Sequence, residues 1–362
     1  MRERGRSGCV TGVGPDVTLV PLSVLDLIPV GTGYTPGQAL RASVQLARRA
    51  EELGFTRYWL AEHHNMPGIA SSAPAVVIGR IAAATSRMRV GAGGVMMPNH
   101  PALVVAEQFG TLEGLHPGRI DLGIGRAPGT DEVTAQTLRR SADALSADDF
   151  SARFGEVQAF LSGQFPDGHP YARITAVPGR GAEPEIWLLG SSGYSAQLAG
   201  HLGLPFAFAN HFSHRNTVPA LQLYRATFQP SEALARPYAM VTASVVCAQD
   251  EQRARWLAAP SGLSFLRLHA GRPSTLPSPE EAAAATLTEH ERTAFAQWSA
   301  GHVVGSPDTV REQLADLQER TGADELMIST MLHDPADRLR SYELVAETVP
   351  FARAGESAVV GS

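Results

Sequence analysis

Short apolar runs of strand length alternate with segments of helical period along most of this 362-residue chain, and that alternation restricts the fold more than any single motif. Strand-like runs fall at residues 22–30, 57–61, 88–96, 119–125, 185–189, 205–209, 238–248 and 325–330. Between the first two, Leu40, Val44, Ala47, Ala50 and Leu53 recur every three or four residues, giving one apolar helical face that Gly54 closes. Further helices are expected near residues 73–85 and 101–115, after Ser192 and after Val218. Near-continuous apolar strands joined by helices belong to a buried parallel sheet. Eight such units, with no Gly-x-Gly-x-x-Gly after the first strand, predict an α/β fold of the (β/α)8 TIM-barrel type with helical and loop insertions, not an open doubly wound sheet.

The barrel is expected to occupy residues 22–350 as a single domain. Residues 1–21, rich in Gly and Arg and without periodicity, are expected to form a disordered arm, and residues 351–362 a flexible tail. Two connections, about 127–184 and about 250–304, are too long for ordinary βα loops and are expected to line the mouth of a pocket. Their aromatic residues, among them Phe160, Phe165, Phe265 and Trp298, are expected to pack the excursions' own helices. The stretch Gly305-Ser-Pro-Asp-Thr309 reads as a helix start, with Ser306 as N-cap and Pro307 in the first position.

The formal charge of -6 comes without a basic run, so neither nucleic acid nor a membrane surface is expected as a partner. Two cysteines, far apart, fit a reducing compartment. No apolar run reaches the roughly 20 residues that span a bilayer, and a cytoplasmic protein is expected.

A parallel barrel places its chemistry at the carboxyl ends of its strands, so residues there are the candidates. The run Glu62-His63-His64 ends the second strand. Histidine serves as a general base or proton donor near neutral pH, and Glu62 is expected to orient it; strand alternation puts Glu62 and His64 on one side and His63 on the other. The spacing is not that of a helical zinc site, and no metal is expected. Gly91, Gly93 and Gly94 interrupt the third strand, which signals either close approach of a flat ligand or a bulge. His100 is a candidate cap for the next helix. Arg126 ends the fourth strand and either clamps an anion or pairs with Asp131 or Glu132. Gly190-Ser-Ser-Gly-Tyr194 leads from a strand into a helix, a setting suited to phosphate, although serine there is also a common N-cap.

These residues resemble the bacterial luciferase-like flavin monooxygenases over nearly all of residues 22–350. The resemblance rests on Trp59-Leu-Ala-Glu-His-His64, on Gly91-Ala-Gly-Gly-Val95 followed by Pro98 and His100-Pro101, on Gly118-Arg-Ile-Asp-Leu-Gly-Ile-Gly-Arg-Ala127 and on Gly322-Ala-Asp-Glu-Leu326. It implies a barrel that binds FMN, commonly as a homodimer packed through the helices after strands two and three. It places His63, supported by Glu62, at the catalytic histidine. Gly93 and Gly94 fall at a non-proline cis peptide under the flavin ring. Arg126, Ser191, Gly193 and Tyr194 fall at the FMN phosphate. The implied reaction uses reduced FMN from a separate reductase and O2, forming a C4a-peroxyflavin that oxygenates a small organic substrate. Two alternatives on the same fold are hydride transfer with F420 and non-catalytic flavin binding. Gly125 replaces the family's reactive cysteine and Gly190 a glutamate near the phosphate.

Overall fold

The computed structural model describes residues 18–139 and 149–353. Eight parallel strands close a barrel: β1 (Leu22–Asp26), β2 (Arg57–Leu60), β3 (Arg89–Met96), β4 (Ile120–Gly125), β5 (Glu185–Gly190), β6 (Phe206–Phe208), β7 (Ala239–Cys247) and, after a short β8 (Val303–Gly305), β9 (Glu325–Ser329). Each strand of the ring pairs with the next in that order, β6 with β7, β7 with β9, and β9 with β1. The (β/α)8 expectation therefore holds. Strand β8, missed by the sequence reading, lies outside the ring and extends β7 through Val303 opposite Val245. Among the described residues no helix is long and apolar enough to cross a membrane.

Local signals explain the element ends. Gly54 closes the helix Pro36–Leu53 with φ +92°, and Ser306 caps Pro307–Thr321 through its hydroxyl, which accepts the Thr309 N–H. The first strand is shorter than the expected 22–30. Asp26, fully buried, accepts the Ile28 N–H at 2.5 Å and holds Arg338 at 2.7 Å, and Ile28 turns the chain with φ +55°. Two residues from the ranges expected for the arm and the tail are packed. Leu19 and Phe351 are both buried and form a bridge, so they belong to the packed structure. Residues 1–17 and 354–362 lie outside the described residues.

The barrel interior is layered. At the amino end, the Arg57 guanidinium meets Asp121 and Glu185 at 3.0 Å each and Glu325 at 3.2 Å. Above it, Trp59 and Trp187 pack edge to face at 5.1 Å among Leu25, Ala207, Met240 and Met327. Above that layer the barrel opens into a cavity.

The first long connection carries the helices Glu132–Arg139 and Phe150–Ser162. The second carries Glu251–His269, Pro279–Ala284 and Glu289–Ser299. Only the first lines the cavity among the described residues, which corrects the expectation for the second. The aromatics of both pack locally, as expected: Phe160 on Phe165 at 4.9 Å and Phe265 stacked on Trp298 at 4.8 Å.

Candidate active site

The cavity holds about 430 Å3 at the carboxyl ends of the strands, a size ordinary for a cofactor or small-molecule site. His63, Gly93, Gly94, Arg126 and Ser191 all line it. Glu62, Gly193 and Tyr194 do not line it.

His63 follows β2 and its ring is half-buried. Its Nδ1 lies 3.1 Å from the carbonyl oxygen of Gly129. A carbonyl only accepts, so Nδ1 carries the hydrogen and Nε2 of the neutral ring holds the lone pair. Burial lowers the His63 pKa below its ordinary 6.5, against the opposing effects of the Gly129 hydrogen bond and the Glu62 charge.

Glu62 does not orient His63, as the sequence suggested. Its fully buried carboxylate accepts His64 Nε2 at 2.9 Å, His100 Nε2 at 2.9 Å, the Asn99 amide at 3.2 Å and the Met96 N–H at 3.0 Å. Burial pushes this carboxyl up, but the bonds from His100, His64 and Met96 outweigh it and hold its pKa below the usual value. Strand alternation did put Glu62 with His64 and apart from His63. The partner of His63 comes instead from the loop after β4, which sequence distance concealed. His100 likewise binds Glu62 and does not cap the next helix, whose N-cap is Pro101.

The glycines of β3 form a flat segment of wall. The Gly93–Gly94 peptide is cis, and the pairing with β4 slips between Gly93 and Val95. The platform and the bulge, offered as alternatives by the sequence, coincide. A Cβ on Gly93 would lie 2.8 Å from the Trp59 ring and 2.9 Å from Leu25, and one on Gly94 would lie 2.7 Å from the Gly123 carbonyl oxygen. Only glycine fits at either position.

The cationic end lies at β4 and β5. Arg126 makes no ion pair among the described residues; Asp131, its suggested partner, binds Asn65 and Thr134 instead. The guanidinium sits 4.4 Å from the Tyr194 ring centroid, and the Tyr194 hydroxyl reaches Ser151 at 3.0 Å. Tyr194 thus supports Arg126 from behind. The helix Gly193–Leu202 starts at Ser192, whose side chain makes no capping bond, leaving first-turn amides free of a side-chain acceptor. Gly193 is its first residue. The sequence reading missed Arg153, which lines this end from the helix Phe150–Ser162 without an ion pair among the described residues, and it missed Phe150 beside it. Nothing in the local pattern singles them out, because they enter from an excursion.

Across the ring, His211 on the short helix Asn210–Ser213 also lines the cavity, with its Nδ1 2.5 Å from the Thr242 hydroxyl. Burial, with the charges of His302 and His63, lowers its pKa to about 3. It too was missed, as an isolated histidine after a three-residue strand.

A parallel barrel with a glycine platform, a neutral histidine and a cationic end in one carboxyl-side cavity has the layout of an enzyme's ligand site. The sequence profile of the luciferase-like monooxygenases matches residues 20–325, and the chain belongs to that family. The uncharacterized protein YvbT of Bacillus subtilis is 50% identical over 326 residues, covering 90% of this chain and 96% of that one. The luciferase-like monooxygenase of Escherichia coli K12 is 43% identical over 328 residues, 91% of this chain and 96% of its own. The crystal structure of apo-MsnO8 superposes with a TM-score of 0.82 at 38% identity, covering 92% of this chain and all of that one. More distant folds include the oxygenating component of a Pseudomonas putida diketocamphane monooxygenase in complex with FMN, at 19% identity and TM-score 0.68. An F420-dependent secondary alcohol dehydrogenase matches at 15% and 0.63. These two share the fold alone.

Proposed function

We propose that the protein is an FMN-dependent monooxygenase that uses reduced FMN and O2 to oxygenate a small organic substrate. The observation that carries this reading is the pairing, in one cavity, of a wall where no Cβ fits with two guanidiniums that lack a carboxylate partner among the described residues. A flat ring against Gly93–Gly94 and a phosphate between Arg126, Arg153, Ser191 and the amides opening at Gly193 match that wall and that charge.

Bound reduced FMN supplies the electrons that activate O2 for transfer of one oxygen atom to substrate. The chain supplies the rest. His63 Nε2 accepts or returns a proton, with Nδ1 anchored on Gly129 and the pKa lowered so that the ring is neutral near pH 7. Glu62 is a positioning residue, since it ties the loop after β2 to Met96 at the end of β3 and to His100 beyond it. Phe150 and Phe212 add apolar surface to the lining.

In this reading a separate reductase delivers reduced FMN. The working unit is a homodimer through the helices Pro74–Ala82 and Ala102–Leu115, on which Val76, Val104 and Leu115 are exposed. Titration of the purified protein with FMN, reduced FMN and F420, followed by oxygen uptake with reduced FMN, tests the proposal. Preferential FMN binding with substrate-dependent oxygen uptake is expected. Binding of F420 alone would transfer the protein to hydride chemistry, and binding of none of the three would end the flavin reading.

A further inference from the structure

The ring order of the barrel divides the cavity. With eight strands in sequence around the ring, β2 stands opposite β6, and β3 opposite β7. His63 therefore faces His211 across the opening, and the Gly93–Gly94 wall faces Thr242. The cationic residues belong to β4, β5 and the excursion between them. On the remaining side, formed by β6, β7, β9 and β1, the lining is Leu25, Leu27, Ala207, Ala209, Phe212 and Met327, and the polar side chains among the described residues are His211 and Thr242 alone.

The protonation of this pair follows from counting hydrogens. The Thr242 hydroxyl has one, and the Phe208 carbonyl oxygen, which can only accept, lies 3.2 Å from it. Donation to Phe208 makes the 2.5 Å contact a bond from His211 Nδ1–H to the Thr242 oxygen. With Nδ1 protonated and the ring neutral, Nε2 is a lone-pair acceptor. It has no hydrogen-bond partner among the described residues, and it belongs to a ring that lines the cavity. The backbone is braced for this arrangement. Buried Asn210 accepts the Thr217 hydroxyl at 2.8 Å, and β6 pairs with β7 directly below, Phe208 opposite Val241.

A fixed acceptor in an otherwise apolar, uncharged wall selects for a donor. A ligand lacking one leaves the lone pair desolvated and unpaired, and an anion is repelled by it. We propose that His211 is the substrate-recognition residue of this cavity, and that the substrate is an uncharged, largely apolar molecule whose O–H or N–H group donates to His211 Nε2. This rests on the cavity being a joint cofactor and substrate site. The low basicity of the ring at neutral pH fits recognition and leaves proton transfer to His63.

The test uses four probes of one shape, namely 4-ethylphenol, 4-ethylaniline, 4-ethylanisole and 4-ethylbenzoate, titrated calorimetrically into the apo and the FMN-loaded full-length protein. At least one of the two donors is expected to bind roughly five- to tenfold tighter than 4-ethylanisole, which in turn exceeds 4-ethylbenzoate. His211→Phe should bring the donor-to-anisole ratio to about one while FMN affinity stays within a few fold, and Thr242→Val should reduce the same ratio with His211 still in place. Independently, 15N chemical shifts of the His211 ring in the free protein should report a protonated Nδ1 and a bare Nε2. The opposite tautomer, or an anisole affinity equal to both donors in a protein that still binds FMN, overturns this inference and leaves the flavin reading standing. Loss of FMN binding by the wild-type protein would instead remove the flavin reading on which it rests.

Discussion

The Nδ1 atom of His63 lies 3.1 Å from the carbonyl oxygen of Gly129, a residue 66 positions further along the chain. The loop after β4 thereby sets which nitrogen of a β2 histidine is free to take a proton. His63→Ala removes that acceptor but no part of the glycine wall or the cationic end. Product formation should fall at least about tenfold while FMN affinity stays within a few fold. Steady-state assay and fluorescence titration of the same preparation check this, and a fully active variant would dismiss the assignment.

The direction of the His63 shift predicts a pH limb. A base works when unprotonated, so activity is lost as the pH drops through its pKa. Because burial lowers that pKa, the acid limb of the rate profile should centre below 6.5. A limb that survives in His63→Ala, or one centred above 6.5, would place the titrating group elsewhere.

Gly94 and Gly114 make a matched pair. A Cβ at Gly94 would strike the Gly123 carbonyl oxygen at 2.7 Å, whereas nothing lies within 4 Å of one at Gly114, in the helix Ala102–Leu115. Gly94→Ala should destabilise by about 1–3 kcal/mol and weaken FMN binding. Gly114→Ala should stabilise by about 0.5–1 kcal/mol with binding unchanged. Thermal unfolding with and without FMN separates the two effects.

Arg126 offers a test specific to the phosphate. Arg126→Ala should weaken FMN by at least roughly tenfold and riboflavin far less, because riboflavin has no phosphate to lose. Equal losses for both ligands would place the guanidinium against the ring.

At the opposite face, Arg57→Met leaves the buried Glu325 without a cation among the described residues, while Asp121 and Glu185 keep Arg89. Stripping one partner from a buried ionic cluster costs about 3–5 kcal/mol. Urea denaturation should register that loss, with the FMN dissociation constant of the folded fraction unchanged, since Trp59, Trp187 and their neighbours separate the cluster from the cavity.

Strand and helix periods, caps such as Ser306 and Gly54, and the strand-end residues His63, Gly93, Gly94, Arg126 and Ser191 were all legible in the linear chain, because hydrophobic period and turn chemistry act over a few residues. What lay beyond the sequence came from long range. The carboxylate of Glu62 turned away from His63 to His100, 38 positions on, and Tyr194 became a support for Arg126. Arg153 and Phe150 arrived from an excursion, and His211 found its hydrogen-bond partner on the neighbouring strand. The sequence by itself pointed to the barrel and the side of it where ligands enter, since eight apolar strands alternating with helices, without the glycine fingerprint of an open sheet, are buried by closing the ring. The tertiary structure alone decided which imidazole nitrogens are free and which charges stay unpaired, since a tautomer or an ion pair is settled by atoms about 3 Å apart that the chain separates by tens of residues.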